Sequence, residues 1–344
     1  MRHPDPDARN TERLAAHLAE RRAAFGKVST TLSLLSDHRL GEVVAAATPL
    51  GSGIGGRSAE LDIDGTRVFV KRVPLTDLET RPENLRSTAN LFGLPMYYQY
   101  GVGSSGFGAW RELAVHTMTT NWVLTGADGD TGAYEGFPLM YHWRVLPDSA
   151  PSGTAEAFGS INAAVARWEG SSAVRERLEA IERSSAGLAL FLEYVPWTLA
   201  AWLDGRADHY PWVAETLARG TSFMRSRGLV HFDAHFNNVL TDGHTLYFAD
   251  FGLALSTGFE LAPREQEFLT EHLAYDHWYT VSHLLRFHLR KWIADRPTAD
   301  IPPEITALAE RHARPAAIMD DFFDRLITES KQTPFPAAEL EGIR

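Results

Sequence analysis

The sequence predicts an α+β fold in two lobes, a small strand-rich one followed by a larger, mainly helical one. Residues 43–71 read as strands around a glycine-rich turn, with Asp64-Gly65 between alternating runs as a hairpin turn. Beyond residue 197, helical spacing dominates over 198–204, 211–227, 264–294 and 303–329. That half is interrupted over 228–252, where polar residues gather beside a hairpin signal at Thr241-Asp242-Gly243. Strands collected in one half and helices in the other fit an α+β class.

The bulk numbers bound the reading. The chain has 344 residues, 44% hydrophobic and 22% charged, which is a globular composition with length for one large domain or two lobes. No run approaches the roughly 18 apolar residues of a membrane span. The start, Met1-Arg2-His3-Pro4-Asp5, is too polar for a signal peptide, so the expectation is a cytoplasmic protein without membrane association. The absence of cysteine excludes disulfides, thiolate catalysis and cysteine-type zinc sites. A net charge of −11 argues against general nucleic-acid affinity.

In chain order, Thr11 to Ala24 forms a helix whose thin apolar stripe, Leu14 and Leu18, suits a flanking helix within an extension over 1–40. Val43-Val44 opens the strand region and precedes Gly51-Ser52-Gly53-Ile54-Gly55-Gly56. Lys71 ends the apolar strand Val68-Phe69-Val70. Residues 72–108 are irregular and end glycine-rich over 101–108. A helix follows over 109–122, then a strand over 137–145, a Pro/Ser/Gly loop over 147–156 and a helix over 160–183. Leu188 to Val195 is a buried-type strand ended by Pro196. The first lobe is drawn at 41–195, the second at 196–335 and a tail at 336–344. His272, His277, His283 and His288 fall on a long helix at spacings of five and six, which do not keep one face, so a metal site there is not expected. Trp278, Leu284, Leu285 and Trp292 mark its buried face.

His231-Phe-Asp233-Ala-His235-Phe-Asn-Asn238 has the form H-x-D-x-x-x-x-N, and Asp250-Phe251-Gly252 follows twelve residues after Asn238 at the end of an apolar strand. A metal site at His231, Asp233 and His235 would use proper ligands, but it explains neither Asn238 nor Asp-Phe-Gly. The pair of motifs resembles the catalytic and metal-binding loops of the protein-kinase-like superfamily, which includes protein kinases and the aminoglycoside and choline kinase types. The resemblance runs from about residue 45 to residue 295. It implies a bilobal protein-kinase-like fold with ATP and Mg²⁺ in the cleft.

Residue by residue, the resemblance implies these roles. Gly51, Gly53 and Gly56 would let a backbone loop close over the phosphates. Ser58 stands where the family has Val, so adenine packing passes to Ile54 or Val70. Lys71 would neutralise phosphate charge. Its carboxylate partner is expected to be Glu112, on the helix after the irregular stretch; Glu79 and Glu83 are nearer but lie beside Pro82. Main-chain groups at Glu193 and Val195 would read the adenine edge. Asp233 would orient the acceptor hydroxyl, and Asn238 and Asp250 would hold Mg²⁺. Phe251 would pack beneath the Glu112 helix, and Asp276 would tie down the loop at 231–238. Phe232 replaces the Arg that receives an activation-loop phosphate, which argues against switching by phosphorylation. His235 matches the D-x-H-x-x-N wording of the small-molecule branch, where it would touch the γ-phosphate or brace the loop.

The expected function is ATP- and Mg²⁺-dependent phosphoryl transfer to a hydroxyl. Ala262-Pro263-Arg264 lacks the Glu that closes a protein kinase's activation segment, and it comes only about a dozen residues after Gly252. A short segment favours a small acceptor. Ala249-Asp-Phe-Gly-Leu-Ala254 and Glu193-Tyr194-Val195 are worded like a serine/threonine protein kinase, which stays as the alternative. A pseudokinase binding module and a nucleotidyl transferase remain further readings.

Overall fold

The computed structural model describes residues 6–126, 134–148 and 159–343. The expected loop at 147–156 lies, apart from its first two residues, outside them. The chain opens with two helices, α1 (Pro6–Ser33) and α2 (Asp37–Ala45). Three strands follow: β1 (Thr48–Gly53), β2 (Gly56–Ile63) and β3 (Thr66–Leu75). Next come α3 (Ala109–Thr125), β4 (Met140–Pro147), α4 (Ile161–Arg167), α5 (Ser172–Glu182) and β5 (Ala186–Glu193).

These strands form one antiparallel five-stranded sheet in the order β1-β2-β3-β5-β4. Ile63 pairs with Thr66, so Asp64-Gly65 is a two-residue turn, and both residues have positive φ (53° and 83°) as a primed hairpin turn requires. Side chains alternate along β3. Val68 and Val70 are fully buried in the cluster shared with Val28, Leu32 and Leu40 of α1 and α2. Val73 and Leu75 join Trp110 and Leu113 of α3 on the opposite face. Lys71, in phase with Val73, therefore lies on the α3 side.

The remaining chain is mainly helical, with a small antiparallel sheet of β6 (Trp197–Thr198), β8 (Val239–Thr241) and β9 (Leu246–Phe248), and a strand pair of β7 (Leu229–Val230) with β10 (Leu255–Ser256). Its helices are α6 (Leu199–Trp202), α7 (Tyr210–Ser226), α8 (Pro263–His272), α9 (Tyr275–Leu284), α10 (Arg290–Ala294), α11 (Pro303–Thr328) and α12 (Ala337–Glu341). The molecule is thus mixed α and β, a small antiparallel sheet beside a larger helical part. No helix of the described residues is long and apolar enough to cross a membrane.

Four sequence expectations are corrected. Val43 and Val44 lie in α2, not in a strand: the Ser36 hydroxyl caps the helix by accepting from the Arg39 N–H (3.3 Å), and Leu40 and Val44 recur on its buried face. The first helix runs to Ser33 because Val28 and Leu32, both fully buried, extend the stripe. The helix expected over 160–183 breaks at Glu169 and Gly170, whose φ angles of 56° and 74° are left-handed. The one expected over 264–294 is α8, α9, a π-type turn over Leu285–Leu289 and α10.

Candidate active site

The ionisable groups of the cleft converge on Lys71. Its Nζ donates to Glu112 Oε1 and to Asp250 Oδ1, each at 2.7 Å. Three elements meet there: β3 carries Lys71, α3 carries Glu112, and Asp250 follows β9 with a left-handed φ of 61°. Burial pushes Glu112 up to about 7, against the pull of Lys71. Burial would raise Asp250 as well, but Lys71 holds it below the ordinary carboxylate value. For Lys71 itself burial opposes the charge, and the two carboxylates outweigh it and raise its pKa.

The α3 helix is held in place from several sides. Glu79 Oε1 accepts from the Ala109 N–H at the helix start (2.9 Å), and the Trp110 indole donates to the Glu79 carbonyl (2.9 Å). Arg111 reaches Glu265 of α8 at 2.6 Å, both side chains buried. Glu112 is therefore the Lys71 partner, while Glu79 anchors the helix that carries it. Phe251 is fully buried against this helix, its ring 5.1 Å from that of His116.

The loop at 231–238 is tied down by Asp276, which accepts from the main-chain N–H of His231 (2.6 Å) and of Phe232 (3.0 Å). Burial raises Asp276 to about 7 despite those two donors. Phe232 has a left-handed φ of 63° and is fully buried; its ring stacks on Phe268 and packs against Tyr275. Phe232 thus plugs the base of this loop with an aromatic cluster. The His231 Nε2–H donates to the Ala249 carbonyl (2.9 Å), and burial lowers its pKa to about 4, so the ring is neutral. Among the described residues no group of three or more His, Asp or Glu is placed to hold a metal ion.

Asp233 accepts from the Asn238 amide at 3.0 Å, and the same amide donates to the Asp233 carbonyl at 3.0 Å. Burial, then the nearby Asp250 charge, raises the Asp233 pKa well above the ordinary value. His235 lies 3.8 Å from Asp233, and burial lowers its pKa. Its Nδ1 accepts from the Asn237 N–H (3.2 Å), so it braces the loop. With its NH₂ committed to Asp233, Asn238 presents a carbonyl oxygen, and Lys71 engages Asp250 through Oδ1. An amide oxygen and a carboxylate on one cavity wall are donors that suit Mg²⁺, a hard cation that completes its shell with water and phosphate oxygens.

Two adjoining cavities share Gly55 and Asp250. The larger, about 430 Å³, runs from the β1–β2 turn past Phe69 and Lys71 to Glu193, Val195 and Asn238. Phe69 and Leu240 supply its apolar walls. Val70 is corrected: it faces α1 and α2, because period-two alternation turns it away from the cleft. Ile54 lines the smaller cavity instead. Of the expected glycines, Gly56 needs its lack of a side chain most: its φ is 123°, and a Cβ would sit 2.2 Å from the Arg72 carbonyl oxygen. Gly51 and Gly53 line the cavity, where a Cβ would meet nothing closer than 4.0 Å. Gly55 makes the closest approach to the charged centre, an added Cβ lying 3.4 Å from Lys71 Nζ. Of the two expected main-chain sites, the Glu193 N–H is already donated to the Leu139 carbonyl (2.8 Å).

The smaller cavity, about 230 Å³, holds Asp233 and His235 on one side and Gly103, Ser104, Ser105, Gly106, Gly108 and Arg177 on the other. Sequence reasoning missed this second wall. A Cβ on Gly101 would lie 2.1 Å from Asp233 Oδ1, and one on Gly106 2.4 Å from the Gly252 carbonyl oxygen. The Gln99 amide donates to the Leu253 carbonyl, and the Thr88 hydroxyl accepts from the Glu260 N–H (2.8 Å). The stretch 87–106 therefore lies across the segment that follows Gly252. Its glycine density was the only legible signal. No protein-family model matches the chain, and no curated protein matches it.

Proposed function

We propose that the protein is an ATP- and Mg²⁺-dependent phosphotransferase with a two-lobed, protein-kinase-like fold, acting on a hydroxyl of a small molecule. The observation that carries this reading is Lys71 bridging Glu112 and Asp250 at 2.7 Å each, in one cleft with Asp233 and Asn238. The larger cavity takes ATP, with Phe69 and Leu240 against the base, Glu193 and Val195 at its edge, and the β1–β2 turn over the phosphates. Lys71 binds phosphate oxygens, and Glu112 orients it. Asn238 and Asp250 would hold Mg²⁺, which offsets phosphate charge. Asp233 faces the acceptor: the hydroxyl oxygen bonds to the γ-phosphorus, the bond to ADP breaks, and Asp233 accepts the hydroxyl proton. Burial, then the Asp250 charge, raises the Asp233 pKa well above the ordinary value, which makes it a stronger base than a free aspartate.

The acceptor reading rests on the stretch 87–106, which covers the surface that a bound peptide would need. A small molecule reaches Asp233 through the smaller cavity; a folded protein loop does not. Calorimetric titration with ATP tests the nucleotide site. Binding should require Mg²⁺ for full affinity, and Asp250→Asn should remove that requirement's benefit. Binding indifferent to both would overturn the assignment.

A further inference from the structure

We infer that the acceptor cavity is an oxyanion-binding site, so that the acceptor carries a phosphate or carboxylate group besides its reacting hydroxyl. The acceptor half of this statement rests on the phosphotransferase reading; the anion site does not. Arg177 of α5 lines the same cavity as Asp233 and is only 2% exposed. Its Nη1 donates to Glu79 Oε2 at 2.7 Å. Its Nε is buried without a partner, and among the described residues its Nη2 makes no hydrogen bond. The guanidinium lies over the Phe92 ring, 5.1 Å from its centroid, and since Nε is enclosed, Nη2 is the donor left for an acceptor oxygen in the cavity.

Glu79 does not meet that demand. Its carboxylate already accepts from the Thr76 N–H (3.0 Å), the Thr76 hydroxyl (2.7 Å) and the Ala109 N–H (2.9 Å), beside Arg177 Nη1. With its charge divided over four donors, it holds Arg177 in place and leaves the guanidinium's other edge to the cavity. The first turn of the 17-residue α3 opens on the same wall at Gly108, adding the positive end of a helix dipole. Ser104 and Ser105 supply hydroxyls there. The lining also carries the carboxylates Glu112, Asp233 and Asp250, and apolar side chains including Ile54, Val73, Ile181 and Leu253. Arg177 is the one cationic side chain among the described lining residues, so a hydroxyl belongs at Asp233 and an oxyanion at Arg177. At about 230 Å³ it lies below the roughly 300 Å³ lower end of drug-sized pockets, which limits the ligand to a small metabolite.

The test is calorimetric titration of the full chain with glycerol, glycerol 3-phosphate and glycerate, without nucleotide. Saturable binding of either anionic compound, and at least tenfold weaker binding of glycerol, is expected; the stronger of the two anions names the group. Arg177→Met should weaken anion binding at least tenfold, with Arg177→Lys between the two. Equal binding of glycerol, or anion affinity unchanged in Arg177→Met, would overturn the inference. Should Arg177→Met not fold, hydrogen exchange decides: at one fixed anion concentration the anion should slow exchange of the amides at 103–109 more in wild type than in Arg177→Lys, and no slowing in wild type overturns it. Anion binding without ATP turnover on any acceptor would support this site and count against the phosphotransferase reading. Transfer to neutral polyols without anion binding would do the reverse.

Discussion

In the proposed reaction Asp233 is the residue that accepts the proton. It is held by the Asn238 amide, crowded by Gly101 and desolvated, and its carboxylate titrates well above the ordinary value. Proton acceptance needs the ionised form. In the free enzyme kcat/KM should therefore rise with pH through an acidic limb that lies above the ordinary aspartate value, then level off. A pH–rate profile checks this; a limb at or below about 4, the unperturbed aspartate value, would contradict it. Asp233→Asn keeps the shape and loses the base, so transfer should fall by about 10² to 10⁴ while ATP affinity persists, as rate and binding titrations would record. This residue was legible in the sequence because its motif is local: His231, Asp233 and Asn238 sit within eight positions. Arg177 and Gly101 were not, because they share the cavity with Asp233 only through tertiary structure, from 56 and 132 positions away.

At the scale of elements, α3 and α1 fix the geometry. Arg111 and Glu265 form a pair buried on both sides, coupling α3 to α8 next to Glu112. Removing either partner should cost about 3–5 kcal/mol of stability, because the other charge stays buried and alone. Arg111→Met with Glu265→Met should cost less than the two single changes together, measured by denaturant unfolding. The first helix does more than flank. Arg21 donates to both oxygens of Glu193 at 2.8 Å, and to the carbonyls of Glu135 (2.9 Å) and Phe137 (2.7 Å). His17 lies 3.0 Å from the Tyr247 hydroxyl, and Thr31 donates to Asp64 at 2.9 Å. One helix thus ties the β2–β3 turn, the end of β5 and the β8–β9 hairpin together. Arg21→Ala should lower the melting temperature and weaken nucleotide binding several-fold; unchanged affinity in a folded variant would reduce α1 to a scaffold. None of this was visible in the thin Leu14 and Leu18 stripe, since the contacts of α1 are polar and distant in sequence.

For the whole molecule, the sequence pattern located the antiparallel sheet with its Asp64-Gly65 turn and the helical second part, because alternation and helical spacing are set by local burial. It misplaced Val43-Val44, where a Ser36 cap overrode β-branched composition, and it ran helices through Gly170 and past His272, where backbone conformation decides. It left 72–108 as irregular, although residues at both ends of that stretch line the smaller cavity; a chain without periodicity shows its place only once folded. The proposed reaction is phosphoryl transfer from ATP to a hydroxyl of a small molecule, with Asp233 accepting the hydroxyl proton. The most direct test is mass spectrometry after incubation with Mg-ATP, a pool of hydroxylated small molecules and generic protein substrates, for wild type and Asp233→Asn. The account predicts ADP and one small molecule heavier by a phosphoryl group with wild type, and neither with the variant. Label on protein serine or threonine, a nucleotidyl mass on the product, or ATP bound and never consumed across the pool would contradict it.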